Sequence, residues 1–302
     1  MSAPVVWIIF PGLLAVLLIP LRQWRSFVVP AAAGVAGLLA LMAWMLPFGE
    51  AMSIGPFSLK IADAIAILGR SFILRDADRP LLAIFYLAAG LWILGTYAVK
   101  VTDLFAPLAL GMTATWVAAL AVEPFLYAAM LIEVTVLLSV PLLVPSGARA
   151  GRGVFRFLTF QTFGMPFLLF TGWMLVGVEA SPSDLALVVR AAVLLALGFA
   201  FMLAIFPFHS WVPMLMEEAH PYVAGFVLAM LPGLVTLFGL GFLDRYAWLR
   251  DSAVVLSAAG VSRLQQWTTP WVLLGACISS SFMRRRKSSF RSGLIWKCPP
   301  SI

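Results

Sequence analysis

Long apolar runs separated by short polar connections dominate this chain. A helix that crosses a bilayer needs roughly 20 mostly apolar residues. Eight stretches meet that ruler: about Val5 to Leu21, Phe27 to Leu46, Leu81 to Val99, Leu104 to Val122, Phe125 to Val144, Val154 to Val176, Leu185 to Phe206 and Tyr222 to Phe242. A ninth, from Trp267 to about Phe282, is shorter and rich in Ser and Thr. The pattern predicts an all-α fold, a polytopic membrane helix bundle of about eight or nine transmembrane helices.

Polar interruptions divide the run of helices into three parts. Residues 1–103 hold the first three helices and the longest polar insertion, 48–80. Within it, Ile61 to Leu74 alternates apolar groups with Asp63, Arg70 and Ser71, as an interfacial helix or a short hairpin would. Residues 104–243 hold five further helices, and 244–302 an incomplete ninth helix and a basic, solvated tail.

Composition sharpens this picture. Of 302 residues, 63% are hydrophobic and only 11% charged, with a mean hydropathy of +1.03. A soluble domain is about half apolar and about a quarter charged, so freely soluble enzymes are excluded, as is disorder. Cys277 and Cys298 are the only cysteines, too few for a disulfide-stapled scaffold. The net charge of +7 comes largely from Arg284, Arg285, Arg286, Lys287, Arg291 and Lys297 and from short connections. No basic face with interleaved aromatics is present, so nucleic acid is not an expected partner.

The connections also predict orientation. Arg22 and Arg25 follow the first run, and Arg149, Arg152 and Arg156 fall on the same side by alternation. Opposite connections carry Glu123, Glu179 and Asp184. Cytoplasmic loops are enriched in Lys and Arg, which puts the N-terminus outside; the weakly basic connection with Arg245, Arg250 and Arg263 fits this least well. The first run has no basic region ahead of it and does not read as a cleavable signal. The expectation is a multi-pass protein of a bacterial cell (inner) membrane.

Ionisable groups inside spans are expensive in lipid and point to function. Glu133 is the clearest, eight residues beyond Phe125, or about 12 Å along the fifth helix and near the bilayer midplane. Desolvation at that depth penalises a charged carboxylate, so an acid there that still exchanges its proton is suited to carry one. The alternative is a neutral carboxyl that only bonds one helix to another. Thr135 and Ser139 are the other polar side chains of its central stretch, and Gln161 and Thr162 on the sixth helix could bond across to it.

The second feature is IFPFHSWVPMLMEEAHPYVAGF after the seventh helix. Pro207 and Pro213 each remove a backbone donor, which predicts a helix break near His209. Such breaks are tolerated at membrane depth where they line a polar cavity. His209 beside it could relay protons, although spacing alone favours a turn that caps the helix, with Trp211 in the interfacial aromatic belt. Arg190 at the entrance of the seventh helix can snorkel. Glu217, Glu218 and His220 lack the spacing of a four-ligand metal site. Gly147, Gly151 and Gly153 form no nucleotide-binding fingerprint. No cofactor and no metal are expected.

PFHSWVPMLMEEAHPYVAG resembles the Pro-x-His-x-Trp-Leu-Pro-Asp-Ala-His-x-Glu-Ala-Pro-Thr-x-Val-Ser signature of the antiporter-like membrane subunits. These occur in NADH:quinone oxidoreductase (complex I), membrane-bound hydrogenases and multisubunit sodium/proton antiporters. Pro207, His209, Trp211, Pro213, Glu218, Ala219 and Val223 match in register, and Glu133 in LYAAMLIEVTVLLSV falls where the family places its proton-channel carboxylate. The resemblance covers roughly residues 1–265.

The resemblance implies a five-helix antiporter-like repeat over 104–243 with a discontinuous seventh helix. It further implies proton or sodium/proton translocation within a complex I-like hetero-oligomer, with other membrane subunits as partners and no redox centre in this chain. By it, Glu133 is the proton carrier and His209 a relay. The chain departs from the family in carrying Met202 where the seventh-helix lysine is usual, no lysine around Pro232 and Gly233, and Met214 for the usual Asp. It also ends before a second repeat, as a short natural relative, a truncated frame or a frameshifted end each would. The alternative readings are a structural subunit that no longer conducts, and an independent secondary transporter.

Overall fold

In a hydrocarbon solvent every backbone N–H and C=O must be satisfied within the segment, so apolar runs of this length become helices. The computed structural model describes residues 2–245, apart from 49–50, 55–56, 61, 68, 100, 125, 145–146, 148, 181–184 and 206–207. Its helices are α1 Phe10–Leu18, α2 Arg25–Met45, α3 Arg79–Gly95, α4 Phe105–Ala121, α5 Tyr127–Leu143, α6 Arg152–Ala180, α7 Leu185–Met202, α8 Trp211–Glu218 and α9 Pro221–Arg245. A wider-turned stretch, Val5–Ile9, leads into α1. The fold is an all-α membrane helix bundle, and a helix stands at each of the eight expected stretches with ends shifted by a few residues. The expected ninth span and basic tail lie outside the described residues.

Among the described residues, four helices are long and apolar enough to cross a bilayer, and four shorter apolar ones accompany them. Between 33 and 50% of each long span is buried inside the bundle. The remainder exposes Leu38, Leu41, Ile84, Leu91, Phe163 and Trp173, residues as apolar as those within. Such an exterior is stable only against lipid or another apolar surface.

Small residues let the helices approach. Ala32, Ala33, Ala36 and Ala40 are buried on α2, and a Cβ on Gly90 of α3 would lie 3.4 Å from the Ala36 Cβ. Close approach of small residues is how helices pack without a hydrophobic drive between them. The α2–α3 hairpin is closed at both ends by arginine. Arg25, the first residue of α2, donates to the carbonyls of Thr96 and Val99 beyond α3. Arg79, the first residue of α3, donates to Ala43 at 3.1 Å and Trp44 at 2.7 Å on the last turn of α2.

The 48–80 insertion is hairpin rather than helix. β1 Ala51–Ile54 pairs with β2 Phe57–Lys60, and β3 Ala64–Ile67 with β4 Arg70–Ile73, both antiparallel. A two-residue strand after α4, β5 Val122–Glu123, extends the second hairpin through Phe72↔Val122. Helix alternation puts these hairpins, Ser2 and the starts of α5 and α7 on one face, here the hairpin face. The connections with Arg22, Arg25, Arg149, Arg152 and Arg156 lie on the other, basic, face.

Candidate functional site

Glu133 sits on α5 where that helix meets α6. Thr162 Oγ1 donates to its Oε1 at 2.6 Å, while Oε2 is buried with no hydrogen-bond partner among the described residues. The residue as a whole is half-buried, and Thr162 is exposed on the outer flank of α6. The carboxyl therefore lies in a helix seam at the rim of the bundle, not on its central axis. Because α5 begins at Tyr127, Glu133 is ~9 Å from the hairpin-face end and ~15 Å from the other.

The proposed supporting residues divide. Thr135 is two positions from Glu133, so the two side chains leave α5 on nearly opposite sides. Thr135 Oγ1 meets Thr115 Oγ1 of α4 at 2.8 Å and the Leu131 carbonyl at 3.0 Å, and Thr115 Oγ1 also reaches the Met112 carbonyl at 2.8 Å. Ser139, one turn on from Thr135, is buried and donates to the Val136 carbonyl at 2.6 Å. Neither joins Glu133. Gln161 leaves α6 toward α7, where Nε2 donates to the Met202 carbonyl at 3.0 Å and Oε1 is buried without a partner among the described residues. Only Thr162 is brought to the carboxyl.

The helix interruption is present and is made differently than the prolines suggest. The Ile205 N–H bonds back to the Ala200 carbonyl at 3.0 Å and the Ala204 N–H to Phe201 at 3.4 Å. Ala204 itself is left-handed at φ 53°. This is the bonding of a Schellman cap, with alanine where glycine is usual. Pro207 lies outside the described residues. Pro213 stands in the first turn of α8, where a missing donor costs nothing, so it starts a helix and breaks none. His209 is exposed in the short Phe208–Ser210 turn before α8.

Met202, where the resemblance places a lysine, is 1% exposed, and a Cβ on Gly164 of α6 would meet its Cγ at 2.5 Å. The position is packed apolar. Arg190 lies on the outer face of α7 and is exposed. Glu218 is far from Glu133 in role: its Oε2 accepts the Gly153 N–H at 2.7 Å at the start of α6. A Cβ on Gly151 would collide with that carboxylate, and one on Gly153 would stand 2.6 Å from the backbone of Met214. These glycines, silent as a nucleotide motif, let α8 approach the start of α6, and an acid at a helix N-terminus is electrostatically favoured. Two glycines at one helix start are the sequence trace of that approach.

His220 precedes α9, where its Nδ1 accepts the Tyr222 N–H at 3.2 Å. Burial pushes its imidazole below the ordinary value of 6.5. Among the described residues no three His, Cys, Asp or Glu gather into a metal-holding group. The chain matches no family model, and no curated protein matches it either.

Proposed function

We propose that this chain is a proton-translocating, or sodium/proton-translocating, membrane subunit of a multisubunit complex I-like assembly, with Glu133 as the proton carrier. One observation carries the reading: a carboxyl inside an apolar helix keeps one oxygen on a hydroxyl donor and the other without a partner among the described residues. Thr162 donates to Oε1, so the proton resides on Oε2 when the acid is neutral. When it leaves, the Thr162 bond becomes charge-assisted and holds the carboxylate. The interrupted α7 and the signature match around His209 support the same reading. Partners would be further membrane subunits, and the basic face would be cytoplasmic in a bacterial inner membrane, with the N-terminus outside.

Met202 favours a second reading, a structural subunit that no longer conducts, because an apolar side chain fills the place of the family's cation. The two separate in proteoliposomes. Under a potassium diffusion potential, proton uptake is followed with an internal pH dye for the wild-type chain and Glu133→Gln. Flux that vanishes in the glutamine variant supports translocation. Equal flux in both, or none in either the isolated chain or its copurified complex, overturns it.

A further inference from the structure

Three arginines gather on the basic face at the start of α6. Arg149, Arg152 and Arg156 are all exposed, and among the described residues none of them is ion-paired. The hairpin face differs: Arg75 has Glu123, Arg79 has Asp76, and the Arg70 guanidinium stands 3.8 Å over the Tyr127 ring. The acids near the start of α6 belong to α8. Glu218 gives Oε2 to the Gly153 N–H, and Glu217 is exposed. Arg156 Nη1 donates instead to the Met214 Sδ at 3.1 Å. A thioether is a weak, neutral acceptor, so Met214 steadies the guanidinium and leaves its charge uncompensated.

The arginines head an apolar stripe. Arg152, Phe155, Arg156, Thr159, Phe163 and Phe170 are spaced three, four or seven apart, which places them on one face of α6. All six are exposed, the phenylalanines by 59, 56 and 51%. Thr159 spends its hydroxyl on the Phe155 carbonyl at 2.8 Å, so it adds no free polar group. Arg156 is ~6 Å from the start of the helix, Phe163 ~16.5 Å and Phe170 ~27 Å. Charge therefore stands only at the interfacial end, and the rest of the face is apolar. A free phosphate would satisfy the arginines and leave the phenylalanines bare; a neutral lipid would do the reverse. We propose that the start of α6, with α8 beside it, is a binding site for an anionic phospholipid. Its phosphate sits on Arg152 and Arg156, whose planar forks suit phosphate oxygens, and an acyl chain runs along Phe155 and Phe163. Arg149 adds attractive charge from the connection ahead of the helix. The site stands whether or not Glu133 carries protons.

The test is native mass spectrometry of the full-length chain, delipidated in detergent and titrated with phosphatidylglycerol or with phosphatidylcholine of the same acyl chains. Phosphatidylglycerol should bind the wild type more tightly. A basic residue near an anionic lipid surface is worth roughly fivefold in affinity, so Arg152→Gln and Arg156→Gln should each weaken phosphatidylglycerol by about that factor and leave phosphatidylcholine unchanged. Met214→Asp keeps both arginines and supplies Arg156 with an internal carboxylate, and it should weaken the anionic lipid as well. Arg75→Gln, which removes an exposed arginine from the opposite face, should change neither lipid. Equal affinity of the wild type for the two lipids overturns the proposal, as does an equal loss in Arg75→Gln or an unchanged affinity in Met214→Asp. Displacement of phosphatidylglycerol by inorganic phosphate means a free-anion site and overturns it, and so does an unlike subunit that copurifies and excludes the lipid.

Discussion

Thr162 holds Glu133 across the α5–α6 seam, its hydroxyl 2.6 Å from Oε1, and it is the single side chain among the described residues that reaches the carboxyl. Helix-to-helix hydrogen bonds in membranes contribute about 0.6 kcal/mol on average and up to about 1.7. A double-mutant cycle of Glu133→Leu and Thr162→Val should give a coupling within that range, read from reversible unfolding in mixed bicelles. Thr162→Ser should keep it. A coupling of zero would mean that the two groups do not meet.

Gly153 and Gly34 should respond oppositely to alanine. A Cβ on Gly153 would lie 2.6 Å from Met214 and 2.7 Å from Leu215 backbone, which α8 can accommodate only by moving. Overpacking of this kind costs about 1–3 kcal/mol. Gly34, in mid-α2, has nothing within 4 Å, and replacing a helix-interior glycine gains roughly 0.5–1 kcal/mol. Thermal unfolding in detergent should move down for Gly153→Ala and up for Gly34→Ala.

Ala204 ends α7 in a left-handed conformation at φ 53°. An L-residue with a side chain pays about 1–2 kcal/mol there. Ala204→Gly should raise stability by about 1 kcal/mol, because the same two capping bonds form without that strain. An unchanged melting temperature would mean that the cap is made by other contacts.

The eight spans were legible because apolar length is what the bilayer selects, and α2, α5 and α9 end within two or three residues of where the pattern places them. Glu133 and Thr162 were legible as intramembrane polar groups on adjacent helices. Periodicity alone separates Thr135 from Glu133, since residues two apart on a helix diverge even though they are near in sequence. The left-handed Ala204 leaves no trace in composition, and the prolines nearby drew the break several residues too late. The capping roles of Arg25, Arg79 and Glu218 depend on which helices become neighbours, which no single segment encodes.

His220 should make stability fall on acidification. As a neutral imidazole its Nδ1 accepts the Tyr222 N–H at the start of α9; protonated, it cannot. Burial holds its folded value below 6.5, so the contribution is complete above about 6.5 and is lost as pH falls through the lower folded value. His220→Asn keeps a capping acceptor that does not titrate. Between neutrality and about pH 5, the wild-type melting temperature should drop more than that of His220→Asn. Parallel curves would remove His220 as the cause.

Arg25 and Arg79 should contribute independently to the α2–α3 hairpin. Each places a cation on carbonyls at the C-terminal end of the other helix, where the helix dipole is negative. Arg79 donates to Ala43, Trp44 and, at 3.1 Å, to Asp76. A lysine ammonium has no planar fork to span such acceptors together, so Arg79→Lys should lose most of the clamp. The charge stays, so the loss is that of the hydrogen bonds the ammonium cannot make, about 1 kcal/mol. The two clamps are separated by the length of α2, 21 residues or ~30 Å, and share no partner, so losses in Arg25→Lys and Arg79→Lys should add in the double variant. Arg75, 72% exposed in its side chain and paired with Glu123 only at 3.5 Å, provides the control: Arg75→Lys should shift stability by no more than about 0.5 kcal/mol. Denaturant titration in bicelles reads all four variants. A double variant no weaker than either single one would mean that the hairpin is held along its alanine-lined interface and not at its ends.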